Sequence, residues 1–174
     1  MGLGLVVAVM AMCVGHAPAQ ESATKPAIRV GVYDSRGIAI AWARSAEFSQ
    51  GMMKLRADFE QAKAQGDTAQ ARKLETQGQA MQVRMHLRGF STAGAGDLLA
   101  KVADRLPAVA REAGVALIVS KWELPYKDPA VEVIDVTVPV AKLFAPDEQT
   151  LKILSELAAQ QPVPLDELSL DPND

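Results

Sequence analysis

Cysteine and histidine are nearly missing from this chain of 174 residues: Cys13 is the one cysteine, and His16 and His86 are the two histidines. Cys13 and His16 both fall within residues 1–19, which read as a cleavable export signal. With that segment removed, the chain keeps His86 and no thiol, which excludes disulfide staples, thiolate catalysis and Cys/His zinc sites within one chain. Also missing is any lysine or arginine ahead of the apolar run at residues 3–14, so only the α-amino group supplies positive charge there. The run is too short to span a bilayer. It is followed by Ala17-Pro18-Ala19, small residues at the two positions a signal peptidase reads, and cleavage is expected after Ala19. Cys13 follows Met12, not the small residue that lipid attachment needs. No later apolar stretch is long enough for a membrane anchor. About 155 residues remain, enough for one domain with a modest core.

Strong charge of either sign is lacking as well, the formal net charge being −3. Its distribution is uneven. Residues 35–114 carry 12 Lys/Arg against 8 Asp/Glu, and residues 115–174 carry 4 against 11. Neither stretch makes the basic stripe of a nucleic-acid binder. No nucleophile elbow, glycine-rich phosphate loop or metal-spaced ligand cluster occurs, so no catalytic residue, cofactor or metal site is predicted. Asp34, at a strand-to-helix junction, reads as a helix cap.

What is present is a clear order of elements. Residues 20–27 form a polar leader. Residues 28–34 (IRVGVYD) alternate in the manner of a strand, with Ile28, Val30 and Val32 on one face. Ile38, Ala41, Ser45, Phe48, Met52, Leu55, Phe59 and Ala62 then recur at spacings of three and four, which predicts a long helix with a heptad seam. Gly66-Asp67-Thr68 turns the chain into a second helix over about 69–90, Asp67 or Thr68 capping it. Three glycines in residues 89–96 break that helix. A third segment runs to Gly114 as C-cap, with Pro107 predicted to kink it. Residues 115–120 (VALIVS) read as a strand buried on both faces, and 131–138 as a third strand. A helical turn over 139–144 and a helix over 147–159 follow. The proline-bearing acidic tail from Pro162 is expected to be disordered.

This order, with three short anchors, resembles the Skp/OmpH family of periplasmic chaperones. The anchors are residues 28–34, residues 109–119 (VAREAGVALIV) and residues 122–138, which hold Tyr126-Lys127-Asp128-Pro129-Ala130-Val131 and Asp135-Val136-Thr137. The resemblance covers about residues 28–144 and implies an α+β fold. In it, short strands form a small barrel body shared by a homotrimer, and an antiparallel α-helical hairpin projects from that body. The domain is expected at 28–144, with strand 28–34, hairpin 36–113 and strands 115–138, and an acidic extension at 145–174. The chain is shorter in its hairpin than the family and acidic where well-known members are basic.

The function so implied is an ATP-independent holdase in the periplasm that binds unfolded outer-membrane or exported proteins. The other reading is an envelope adaptor whose hairpin docks one specific partner. Met53, Met81 and Met85 are candidate client contacts, because methionine adapts to varied apolar surfaces. Arg56, Lys63, Arg72, Arg84 and Arg88 are candidates for steering acidic clients, or for peripheral contact with anionic lipid. Phe48, Met52, Leu55 and Phe59, on the seam, are expected to hold the arm helices together. Ile28, Val30, Val32, Leu117 and Val119 are the expected oligomer core.

Overall fold

The computed structural model describes residues 28–168; the export signal and leader expected over residues 1–27 lie outside them. β1 (Arg29–Tyr33) runs into α1 (Ser35–Ala43) through Asp34, whose carboxylate accepts the Arg36 N–H and so caps the helix. The predicted long helix is interrupted here. Arg44 ends α1, and Ser45 begins α2 (Ala46–Ala64) by accepting the Phe48 N–H at 3.2 Å. Gly66, at φ 72°, makes the tight turn, and Asp67 caps α3 (Thr68–Phe90). α2 and α3 lie antiparallel. Ala62 and Ala71 are buried between them near the tip with Leu74, and Leu55 and Phe59 pack alongside.

Two short helices, α4 (Gly96–Ala100) and α5 (Leu106–Ala113), lead back to the sheet. Pro107 does not kink a helix. It sits in the first turn of α5, where an N–H has no partner to lose. Gly114 is the left-handed C-cap, and β2 (Leu117–Ser120) follows. A 3₁₀ turn (Lys121–Glu123) and a loop reach β3 (Glu132–Asp135), then α6 (Thr137–Ala141), a second 3₁₀ turn (Lys142–Phe144) and α7 (Glu148–Leu157).

The three strands form one sheet in the order β2-β1-β3, both pairings parallel. This corrects the expected barrel: the sheet is open, and β2 and β3 are its two edges. The fold is a mixed α/β layer. The physical reason is connection length, since parallel neighbours need a long crossover and α1 to α5 supply one between β1 and β2. The helices cover one face, so the sheet gains a core within a single chain. Gly31, Tyr33, Ile118 and Ile134 share that face by register, and Tyr33 is buried in the core with Ile118 and Ile134 packed against it. A Cβ at Gly31 would meet Val115, Val136 and Ile118 at 3.1–3.3 Å, so the crossover packs directly on β1.

β2 is not a strand buried on both faces. It is an edge, and Leu117 is 44% exposed. α7 belongs to the same core as the sheet: Leu154 is buried with Ile38, Val136 and Phe144, and Thr150 is fully buried, accepting from Arg44 Nε at 2.8 Å. Of the tail, Val163 donates its N–H to the Phe90 carbonyl at 2.8 Å, and a turn follows in which Glu167 N–H bonds to Pro164 at 3.1 Å. No helix among the described residues is long and apolar enough to cross a membrane.

Candidate functional site

Open parallel sheets commonly bind ligands at the carboxyl ends of their strands. Here that end is occupied by the protein itself. Asp34, almost fully buried, accepts from Arg36 Nε at 3.1 Å, Arg36 Nη2 at 2.7 Å and Lys121 Nζ at 2.7 Å. Burial alone would raise the Asp34 carboxyl. The hydrogen bonds from Arg36 and Lys121, the Arg36 N–H and the charge of Lys121 outweigh that and hold it below the ordinary value. Arg36, itself buried, also donates to the carbonyls of Leu157 at 3.5 Å and Gln160 at 2.9 Å. Its guanidinium and the Lys121 ammonium both lie over the Trp122 ring. A carboxylate whose oxygens are so fully engaged is a structural tie. The cleft beside it, about 150 Å³ and lined by Asp135, Thr137 and Ser155 among others, is small.

The root of the helical hairpin offers a different kind of site. There α1, α2 and α3 meet around an open cleft of about 450 Å³ lined by Ala43, Phe48, Met52, Met81, Met85 and His86, together with Gly78 and Gln82. Local sequence explains its shape. The break at Ser45 turns α2 away from the line of α1, and Gly78 presents no side chain across from Leu55, whose Cδ2 lies 3.8 Å from where a Cβ would be. Phe48 is held edge-on to Trp42, with ring centroids 6.0 Å apart, and Met85 packs on the main core. Their inner sides are fixed while their outer sides border the cleft.

The candidates from sequence divide clearly. Met81 and Met85 line the cleft, whereas Met53 is 65% exposed away from it. Arg56, Lys63, Arg72 and Arg84 are exposed on the arm, Lys63 lying over the Phe59 ring, and Arg88 is paired with Asp97. Leu55 and Phe59 do hold the arm together, but Phe48 and Met52 border the cleft instead. His86 lines it too, its ring edge-on to Phe90 with centroids 5.7 Å apart. A seam repeat does not reveal these roles. The usable signals are a serine within the seam at position 45, a residue type that favours helix starts, and a glycine at position 78.

Of the residues expected in an oligomer core, Val30 and Val32 are buried within the chain, Val119 is partly buried, and Ile28 (54%) and Leu117 (44%) are exposed. The register puts Val30, Val32, Leu117 and Val119 on the sheet face opposite Tyr33. No protein-family model matches the chain, and no curated protein or solved structure compared with it matches either.

Proposed function

We propose that the protein is an ATP-independent holdase-type chaperone of the periplasm, binding unfolded outer-membrane or exported proteins without a chemical step. The observation that carries this reading is the methionine-lined cleft at the root of the hairpin. Met52, Met81 and Met85 are unbranched and polarisable, so they repack around apolar side chains of varied shape. The exposed arginines of the arm add attraction for acidic segments, which speeds encounter more than it tightens binding. An enclosing barrel body plays no part in the proposal.

Self-association belongs to the same reading. The open edges at β2 and β3 and the exposed Ile28 and Leu117 would suit contacts between copies, and a homotrimer is the expected state. The decisive experiment follows aggregation of an unfolded β-barrel membrane protein by light scattering, with and without the purified chain. A concentration-dependent delay, reduced by Met81→Gln, is expected. No delay at a several-fold molar excess overturns the reading.

A further inference from the structure

We propose that the cleft at the root of the hairpin is a site for a soft monovalent metal ion, copper(I), held by the thioethers of Met52, Met81 and Met85 and the imidazole of His86. The described residues contain four methionines, and three of them line this one cleft together with His86, the one histidine among the described residues. The fourth, Met53, is 65% exposed and does not line it. Motifs spaced for cysteine, histidine or carboxylate ligands miss such a site, because its donors are mostly thioethers.

The antiparallel register of the arm brings the donors together. Near the tip, Ala62 and Ala71 share one buried cluster. Seven residues further along each helix, Leu55 Cδ2 lies 3.8 Å from where a Cβ of residue 78 would be. Three more residues along each helix set Met52 across from Met81. Met85 follows Met81 by four positions on α3, hence on the same face one turn on, and His86 lines the cleft beside it. Neighbouring side chains hold two of these donors in place: Met85 packs on the main core, and the His86 ring stands edge-on to Phe90. A methionine side chain has three rotatable bonds, so sulfurs from facing helices can close on a single ion. The ring nitrogens of His86 make no hydrogen bond among the described residues, which leaves a lone pair to ligate.

The chemistry of the lining selects the ion. Thioether sulfur is a soft donor with neither proton nor charge, and it favours copper(I) over harder divalent ions. No carboxylate is among the lining residues, which are apolar apart from Gln82 and His86. Calcium and magnesium need oxygen donors, and zinc sites are built from thiolate, imidazole and carboxylate. One imidazole meets neither need. The cleft is open to solvent, which gives the ion an entry path.

Titration of the full chain tests the site. The background is Met10→Leu, Met12→Leu, Cys13→Ser and His16→Asn, which removes the soft donors of residues 1–19 apart from Met1. With isotope-labelled methionine methyl groups and silver(I) as a diamagnetic substitute, the signals of Met52, Met81 and Met85 should move while that of Met53 stays. Anaerobic titration with copper(I) against the chromophoric chelator ferrozine then compares variants. Met81→Leu should weaken binding by about tenfold or more, and Met53→Leu should leave it unchanged. Leucine keeps the apolar volume, so the loss reports the sulfur and not the packing. Cleft methyl signals that stay in place on addition of silver(I), or equal losses from Met81→Leu and Met53→Leu, overturn the site. No client enters either titration, so the result is independent of the holdase reading.

Discussion

Arg36 Nη2 and the carbonyl of Gln160 are joined by a 2.9 Å hydrogen bond across 124 residues of sequence. The same guanidinium holds Asp34, so one buried side chain ties the start of α1 to the chain beyond α7. Both ends of the described domain meet at that point.

Arg36→Ala leaves Asp34 with Lys121 as its remaining cationic partner but strips it of two charged hydrogen bonds and frees the Gln160 carbonyl. It should lower stability by about 1–3 kcal/mol in urea denaturation. It should also raise amide exchange at Val163, because the chain beyond α7 loses the Arg36 bond to Gln160.

The Asp34 carboxyl is held below its ordinary value in the folded state. A lowered folded value means that the unfolded chain binds the proton first. The stabilisation is then complete above the unfolded carboxyl value of about 3.9 and is lost as pH falls below it through the folded value. Thermal melts of the native chain should show this acid loss, and Asp34→Asn should flatten it while lowering stability at neutral pH.

A Cβ at Gly37 would sit 2.7 Å from Thr137 Cγ2. Thr137 is not free to rotate aside, since its Oγ1 accepts the Asp34 N–H at 2.9 Å. Gly37→Ala should thus cost about 1–3 kcal/mol through overpacking, despite the better helix propensity of alanine. Urea midpoints would check it.

Leu154 is buried in the main core, so Leu154→Ala should cost about 2–5 kcal/mol. Ending the chain at Ala145 removes α7 altogether and should abolish cooperative unfolding, as read by near-ultraviolet circular dichroism. Studies of the acidic tail therefore need a cut after Val163.

Within the arm, Met81 and Met53 should separate. Met81→Gln loses about 1 kcal/mol of client contact, which corresponds to about fivefold weaker binding. Met53→Gln, pointing away from the cleft, should change the aggregation delay little.

Much of the element layout is legible in the residues because its causes are local. Asp67 and Gly114 mark helix ends by their own chemistry, and the alternation over residues 28–34 marks β1. Strand order is different. β1 pairs with strands that begin at Leu117 and Glu132, and nothing near Val30 specifies which neighbour it takes or in which direction. The barrel expected from resemblance gives way to an open parallel sheet for that reason. The cleft is hidden by a related effect: the seam repeat runs unbroken through Ser45, although Ser45 caps a new helix there and bends the repeat into two. Pro107 misleads because its effect depends on where α5 begins, and that is set by packing.

The central position of β1 has a consequence for the order in which the chain can be assembled. Asp34, at its end, waits for a hydroxyl 103 residues away, and both its neighbouring strands are made long after it. During synthesis the arm can close on itself early, because α2 and α3 need only their own turn. The sheet cannot begin until the last third of the chain has emerged. High sequence separation slows folding. A protein built this way spends its own maturation as an exposed, unpaired strand beside a finished hairpin.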